Sequence, residues 1–209
     1  MRATVLTVAV VALGLAWFGP LHDATGGRFA AHMTAHMILV AVASPLIAMG
    51  LAGGRLDPVR SMPWLFAPIP ASFLELVVVS AWHAPVLHHA ARYRSDVFAV
   101  EQASFLAAGL WLWLSVLGGD PGTRARRTGG AIVALLLTFS HMTLLGSLLA
   151  LTPRPLYHHL DARSTRSPLA DQQLGGTIML VLGGVSYIGG GLWLSLGLLR
   201  RSEALPSQL

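Results

Sequence analysis

The sequence contains no cysteine and no lysine, and it has few charged residues of any kind. Charged residues make up 11% of its 209 positions, hydrophobic residues make up 54%, and the mean hydropathy is +0.64. A soluble domain has about 25% charged residues, so this composition excludes a cytosolic enzyme, a coiled coil and a disordered chain. The absence of cysteine excludes disulfides, thiolate metal sites and thiol nucleophiles, and leaves histidine, methionine and carboxylates as candidate metal ligands.

Six apolar segments follow one another along the chain, each about as long as a membrane-spanning helix. We expect them at about residues 3–19, 29–52, 66–91, 97–117, 129–151 and 174–199, with uncertain ends. The predicted fold is all-α: a polytopic membrane helix bundle of about six transmembrane helices, forming a single domain over 1–209. The first segment resembles a signal peptide, but no small-residue cleavage site follows it, so we interpret it as a retained helix. The glycine-rich last segment could pair with a copy of itself in a homodimer.

The basic residues, all of them arginine, lie in the connections between these segments. The net charge of +5 and the pI near 11.0 therefore indicate membrane topology and contact with anionic lipid rather than nucleic acid. Six segments put both termini on one side, with eight of the 14 arginines there and six on the other side. Because arginine is enriched on the cytoplasmic side, this count favours cytoplasmic termini.

The histidines have a one-sided distribution, because all nine fall at the outer ends of the segments or in the outer connections. An ionisable side chain in hydrocarbon costs a few kcal/mol unless it is paired or hydrated, so such residues mark functional sites. The strongest local pattern is His-Met-Thr-Ala-His-Met at 32–37, which puts His32 and His36 on one helix face, one turn apart. Met33 and Met37 repeat that spacing on the adjoining face. Imidazole with thioether favours Cu(I) over Mg²⁺ or Ca²⁺.

Other segments bring further candidate ligands to a similar depth. The third carries His83, the fourth carries Glu101, and the fifth carries His141 and Met142. We therefore predict a metal site in the outer leaflet, in which Glu101 either binds the ion or orients a ligating imidazole. Asp171 is expected to cap the N-terminus of the sixth segment. The residues expected around the site or at its entrance are Trp82, His88, His89, His158, His159 and Asp171.

The order and spacing of these motifs resemble the CtaG-type cytochrome c oxidase assembly factors of caa3-type oxidases. The likeness rests on residues 32–37 and on Ala-Ser-Pro-Leu at 43–46, Ala-Trp-His-Ala-Pro at 81–85, Glu-Gln at 101–102, His-Met at 141–142, Pro-Leu-Tyr at 155–157 and Asp-Gln-Gln-Leu-Gly-Gly at 171–176. The resemblance implies a multi-pass protein of the bacterial plasma (inner) membrane. Such a protein would help to mature a haem–copper oxidase by delivering or inserting copper, with an oxidase subunit or a copper chaperone as its partner.

The resemblance also implies a functional core made of His32, His36, His83, Glu101 and His141. The chain departs from the family pattern in two respects. Gln102 stands where many members have a histidine after the acid, and six segments are predicted where a seventh is usual.

Three functions stay open on the sequence. The first is a copper-binding assembly factor, a binding protein without enzymatic turnover. The second is a haem b electron-transfer protein, in which a pair of histidines on facing helices, such as His36 and His141, holds the iron from opposite sides. The third is a proton-coupled metal-ion transporter that uses Glu75, Glu101 and the histidines.

Overall fold

The computed structural model describes residues 2–18, 28–157 and 167–203, and within these ranges the chain is helical and has no strand. Seven helices are α1 (Arg2–Phe18), α2 (Phe29–Leu51), α3 (Pro58–Ser61), α4 (Pro68–Trp82), α5 (Pro85–Tyr93), α6 (Ser95–Leu117) and α7 (Pro121–Leu151). The eighth, α8, consists of Pro168–Gly183, a π-helical stretch at Gly184–Ile188, and Gly189–Glu203.

The lengths and apolar character of these helices suit a membrane. Helices α2, α6, α7 and α8 are each long and apolar enough to cross one, and α4 with α5 adds a fifth candidate as a bent pair. Helix α1 is apolar and has 17 residues, at the short end of the range of about 17–25 residues for a spanning helix. The predicted all-α membrane bundle of about six segments is therefore confirmed.

The third segment, predicted at about 66–91, is divided into two helices at Pro85, where proline is expected to kink or begin a helix. Helix α4 ends at Trp82, and α5 begins at Pro85 with a bend of 71° between them. A proline disfavours helical backbone at the residue before it, and Ala84 is accordingly extended, with φ −63° and ψ 131°. Helix α5 consequently turns away from α4 and packs against α6.

Two other helices begin earlier than hydrophobicity alone predicts. Helix α7 begins at Pro121 and α8 begins at Pro168, each with proline in the first turn, where no backbone N–H is needed. The residues before them, Asp120 and Ser167, accept a backbone N–H from their own first turn. The N-cap of α8 is thus Ser167, and the prediction that Asp171 caps this helix is wrong.

Five helices form a ring in which contacts run from α2 to α6, α4, α7 and α8 and back to α2. Helix α1 packs outside this ring against α2. Trp113 of α6 reaches into the interior, where its ring stacks on Tyr187 of α8 with centroids 5.8 Å apart. Its indole N–H donates to the carbonyl of Val40 in α2, at 3.2 Å. These contacts join three helices at the middle of the bundle.

Helix α2 contains a π-helical stretch, Ile38–Ala43, just before Pro45. Proline lacks the N–H that the carbonyl four residues earlier requires, and its ring crowds that carbonyl, so the regular helix is interrupted there. The hydroxyl of Ser44 donates to the carbonyl of Leu39 at 2.7 Å, and the indole N–H of Trp113 donates to the carbonyl of Val40. Two carbonyls of the distorted stretch thereby receive a side-chain donor.

Asp57 organises the arginine-rich end of the bundle. Its carboxylate accepts the backbone N–H groups of Gly53, Val59 and Gly119 at 2.7–3.0 Å. Both glycines have positive φ, 66° and 89°, which glycine adopts without strain. Arg2 at the start of α1 donates to a carbonyl just past the end of α2. The start of α2, which carries His32 and His36, and the start of α6, which carries Glu101, therefore lie at the opposite end of the bundle.

Candidate metal centre

The site begins with two histidines in the first two turns of α2. His32 and His36 are spaced by one helical turn, so their side chains emerge on the same face. Both are buried, and their ring centroids lie 4.2 Å apart in an edge-to-face arrangement. The side chains point into the helix ring rather than toward its outer surface.

Glu101 of α6 meets both imidazoles from the facing helix. Its Oε1 lies 3.2 Å from Nε2 of His32 and 3.5 Å from Nε2 of His36. One ligand atom from each of the three residues lies within 4.8 Å of the others. We call His32, His36 and Glu101 the His–His–Glu cluster. Two imidazole nitrogens and one carboxylate oxygen form a donor set that suits a transition-metal ion.

Gln102, the next residue along α6, supports the same cluster. Its amide nitrogen lies 3.0 Å from Nδ1 of His36 and 3.4 Å from Oε2 of Glu101. The amide thus holds the side of the His36 ring that faces away from Glu101. Its own carbonyl oxygen is buried and has no hydrogen-bond partner among the described residues.

Two further imidazoles lie beside the cluster. His83, at the bend between α4 and α5, has its ring centroid 6.4 Å from that of His36, and its Nδ1 lies 2.7 Å from the carbonyl of Val79. Its Nε2 is buried without a hydrogen-bond partner among the described residues. His88 of α5 has its ring 4.9 Å from that of His32. The bend at Pro85 therefore helps to place four buried imidazoles in one region.

Aromatic and polar contacts hold His88 and His83 in these positions. The ring of His88 contacts Phe29 of α2 and Tyr157, with centroids 5.3 and 4.4 Å away, and these two rings also stack on each other. The Tyr157 hydroxyl donates to the carbonyl of His83 at 2.7 Å, at the point where α4 ends. Gln172 of α8 in turn accepts the backbone N–H of Tyr157 and of the residue before it. The connection after α7 is thus fastened to the bend.

Trp82, at the end of α4, is linked to the cluster through hydrogen bonds. Its indole N–H donates to the Ser104 hydroxyl at 2.7 Å, and that hydroxyl donates to the Glu101 carbonyl at 2.8 Å. The chain of two hydrogen bonds links the end of α4 to the turn of α6 that carries the carboxylate. This contact gives Trp82 a position next to the site, as its sequence motif predicts.

His141 is not brought into the cluster, so the expected convergence of all four histidines is wrong for this residue. It lines a groove of about 280 Å³ between α4 and α7, together with Ser72 and apolar side chains such as Phe73 and Leu144. A haem held between His36 and His141, the example given for the second hypothesis, has no support in this arrangement.

The three methionines lie toward α8, whereas the His–His–Glu cluster is formed by α2 and α6. Met33 is buried in an apolar cluster with Phe29, and its Cγ lies close to Gly175. The methyl group of Met37 and Cβ of Met142 lie near Gly183. The donors that converge on one point are therefore nitrogen and oxygen, which removes the argument for Cu(I) that rests on thioether ligands.

The remaining residues predicted around the site differ in burial and location. His88 is buried and His89 is exposed beside Tyr93, because adjacent residues of a helix point in different directions. Asp171 accepts the backbone N–H of Phe29, so it caps the start of α2 rather than that of its own helix. His158 and His159 lie outside the described residues.

Three polar residues at the site were missed or left without a role by the sequence reasoning: Gln102, Tyr157 and Gln172. Each stands inside one of the short motifs that carry the family resemblance, beside a residue already singled out. Their spacing gives no hint of a role, because their partners lie on other helices. Their shared property is a polar side chain buried at the histidine-rich end.

The cluster has the chemistry of a cation site. Glu101 is fully buried, and its side-chain partners are the two imidazoles and the Gln102 amide. A buried carboxylate is stabilised by a nearby positive charge or by several hydrogen bonds. A metal ion held by the imidazole nitrogens would supply that charge at the point where the three side chains meet. The residues present therefore fit a transition-metal ion.

Comparison with known proteins gives one match. The family model described as cytochrome c oxidase caa3 assembly factor (Caa3_CtaG) matches residues 1–201 of the chain. Neither a curated protein nor a solved structure matches it.

Proposed function

We propose that this chain, which belongs to the family of cytochrome c oxidase caa3 assembly factors, binds a copper ion at His32, His36 and Glu101. The protein then passes this ion to the haem–copper oxidase that it helps to assemble. It acts as a binding protein and has no enzymatic turnover of its own. The carrying observation is the position of Glu101, a buried carboxylate within 3.5 Å of both imidazoles.

The donor set favours copper in its divalent form. Among divalent first-row metals, Cu²⁺ generally binds nitrogen and oxygen ligands most tightly. Sulfur ligands would shift the preference toward Cu(I), and Met33, Met37 and Met142 each lie near a glycine of α8. The nearby imidazole of His83 offers a further nitrogen as the ion enters or leaves. Neutral imidazole is the binding form, so affinity should fall in acid.

The direction of transfer follows from the two ends of the bundle. The His–His–Glu cluster lies opposite the end where Arg2, Asp57 and Arg124 gather. If the arginine-rich end faces the cytoplasm of a bacterium, the cluster lies in the outer leaflet of the plasma membrane and both termini are cytoplasmic. Copper would then be received from the outer side, from a copper chaperone or directly, and given to an oxidase subunit in the same membrane.

Copper binding by purified protein tests the proposal. We expect about one Cu²⁺ per wild-type chain in detergent micelles, measured by titration against a chromophoric competitor and by elemental analysis. Glu101→Gln keeps the shape of the side chain but removes its charge, and should weaken binding about 10-fold or more. The double variant His32→Ala/His36→Ala should bind no copper at the site.

Two histidine variants serve as matched controls. His89→Ala removes an exposed imidazole, and His141→Ala removes one outside the cluster; both should bind copper like wild type. Circular dichroism checks that each variant keeps its helices. Equal copper content in wild type and in His32→Ala/His36→Ala would reject these ligands. A Soret band in protein isolated from haem-replete cells would support the haem hypothesis instead.

A further inference from the structure

Gln102 contacts the His–His–Glu cluster through an amide whose two ends have opposite hydrogen-bonding capacities. The amide nitrogen only donates, and the amide oxygen only accepts. In the structure the nitrogen faces Nδ1 of His36 at 3.0 Å and Oε2 of Glu101 at 3.4 Å. The oxygen is buried with no hydrogen-bond partner among the described residues.

This contact dictates which nitrogen of the neutral His36 ring carries the proton. Because the Gln102 amide nitrogen donates to Nδ1, that ring nitrogen must hold a lone pair, and the proton must be on Nε2. The Nε2–H then points toward Oε1 of Glu101, at 3.5 Å. In this arrangement Nε2 of His36 carries a proton and has no free lone pair with which to bind a metal ion.

A bound ion requires the opposite tautomer. Coordination through Nε2 needs its lone pair, so the proton of the neutral ring must be on Nδ1, which then needs an acceptor. Rotating the Gln102 amide by half a turn brings its oxygen to Nδ1 and removes its nitrogen from Oε2 of Glu101. The ring stays neutral throughout: it loses the proton on Nε2 and gains one on Nδ1.

The carboxylate of Glu101 links the orientation of the Gln102 amide to the presence of a metal ion. With the amide nitrogen toward Glu101, the carboxylate receives a hydrogen bond and is stabilised without a cation. With the amide oxygen toward it, a partially negative atom approaches the carboxylate, and this repulsion is smaller when a bound cation neutralises the carboxylate charge. The orientation with the oxygen inward therefore belongs to the loaded site.

We infer that Gln102 is a positioning residue whose amide rotates to select the His36 tautomer, holding Nε2–H in the empty site and Nδ1–H in the loaded site. The part of this inference that concerns the loaded site, its loaded half, rests on the proposed function. The part that concerns the empty site depends on hydrogen bonds alone. A leucine at this position could do neither, and a glutamate could only accept.

The tautomer of His36 tests this directly. In protein with ¹⁵N-labelled histidine, the nitrogen chemical shifts distinguish Nε2–H from Nδ1–H, and a His36→Gln variant identifies the signals. For the metal-free wild type we expect the Nε2–H form. Gln102→Glu should convert metal-free His36 to Nδ1–H, and Gln102→Leu should leave a mixture. The matched control Gln173→Leu removes an amide that contacts Thr152 instead, and should keep Nε2–H.

Metal titration of the same proteins completes the test. We expect Zn²⁺, a diamagnetic probe, to shift wild-type His36 to Nδ1–H. Gln102→Leu should bind Zn²⁺ and Cu²⁺ about 10- to 100-fold more weakly than wild type, and Gln102→Glu should recover that loss. Metal-free wild type in the Nδ1–H form, or a Gln102→Leu protein with unchanged tautomer and affinity, would overturn the inference while leaving the copper site intact. Failure of wild type to bind either ion would overturn the proposed function and the loaded half with it.

Discussion

Asp171 of α8 accepts the backbone N–H of Phe29, the first residue of α2, at 2.6 Å, although 142 residues separate them in the chain. The residue before Phe29, Arg28, makes no capping hydrogen bond with its side chain. A carboxylate from another helix therefore caps the N-terminus of α2. It also fixes the helix that carries both cluster histidines against α8.

Removing this carboxylate should destabilise the protein. For Asp171→Ala we expect a loss of about 1–2 kcal/mol in the free energy of unfolding, because a buried N–H of the first turn loses its acceptor. Asp171→Asn keeps an acceptor oxygen and should recover part of the loss. Chemical unfolding in detergent micelles, followed by circular dichroism, measures the difference. Asp96→Ala removes an exposed carboxylate that pairs with exposed Arg94 and should change stability by no more than about 0.5 kcal/mol; an equal loss in both would contradict the assignment.

Replacement of Tyr157 by phenylalanine should loosen the bend between α4 and α5. The lost hydroxyl leaves the buried carbonyl of His83 without this donor, at a cost of about 1 kcal/mol or more in unfolding free energy. Burial raises the pKa of Tyr157 from 10.0 to about 12.

This shift gives the Tyr157 contribution a defined pH dependence. A folded-state pKa above the unfolded value means that the stabilisation is fully present below pH 10 and is lost as the pH rises from there toward 12. The stability difference between wild type and Tyr157→Phe should therefore be constant near neutral pH and become smaller above about pH 10. Unfolding measured across this range checks it; a difference that already narrows between pH 6 and 8 would show another group at work.

Tyr187 should stabilise the carboxyl group of Glu75 in the middle of the bundle. Its hydroxyl donates to Oε1 of Glu75 at 2.8 Å, and both side chains are fully buried. Tyr187→Phe should cost about 1–3 kcal/mol, since a buried polar group loses a partner. In a double-mutant cycle with Glu75→Leu, which removes the acceptor oxygens, the coupling energy isolates this contact. Tyr93→Phe, at an exposed position, is the control; a zero coupling energy would show that the pair contributes nothing.

Close packing of α7 and α8 should make Gly176 intolerant of a larger side chain. A methyl group there would lie 2.6 Å from the backbone nitrogen of Ala150 and 2.7 Å from the carbonyl oxygen of Gly146. We expect Gly176→Ala to cost about 1–3 kcal/mol through overpacking. Gly189→Ala, further along α8 with no other atoms within 4 Å, should raise stability by about 0.5–1 kcal/mol instead. Similar thermal midpoints for both variants would contradict this packing.

Much of the site could be predicted because its first elements are local. His32 and His36 share a face by helical periodicity alone, and Glu101 lies at a matching depth on a later segment. Gln102 and Tyr157 could not be assigned roles in this way, because their partners come from other helices or from the bend. His141 was assigned wrongly for the same reason: similar depth does not tell which side of a helix faces the interior.

The helix boundaries could likewise be predicted only in part. Hydrophobicity located the apolar segments, but it passed over the break at Pro85 and the early starts at Pro121 and Pro168, because caps and proline geometry act through backbone hydrogen bonds rather than through apolar character.

The sequence by itself determined that the chain is an all-α membrane protein with its histidines gathered at one end, since apolar length and residue depth are properties read along one segment at a time. Only the tertiary structure decided which side chains meet. Helix rotation and neighbour choice depend on packing across the whole ring, so Glu101 and Gln102 reach the two histidines of α2, while His141 lies in a separate groove.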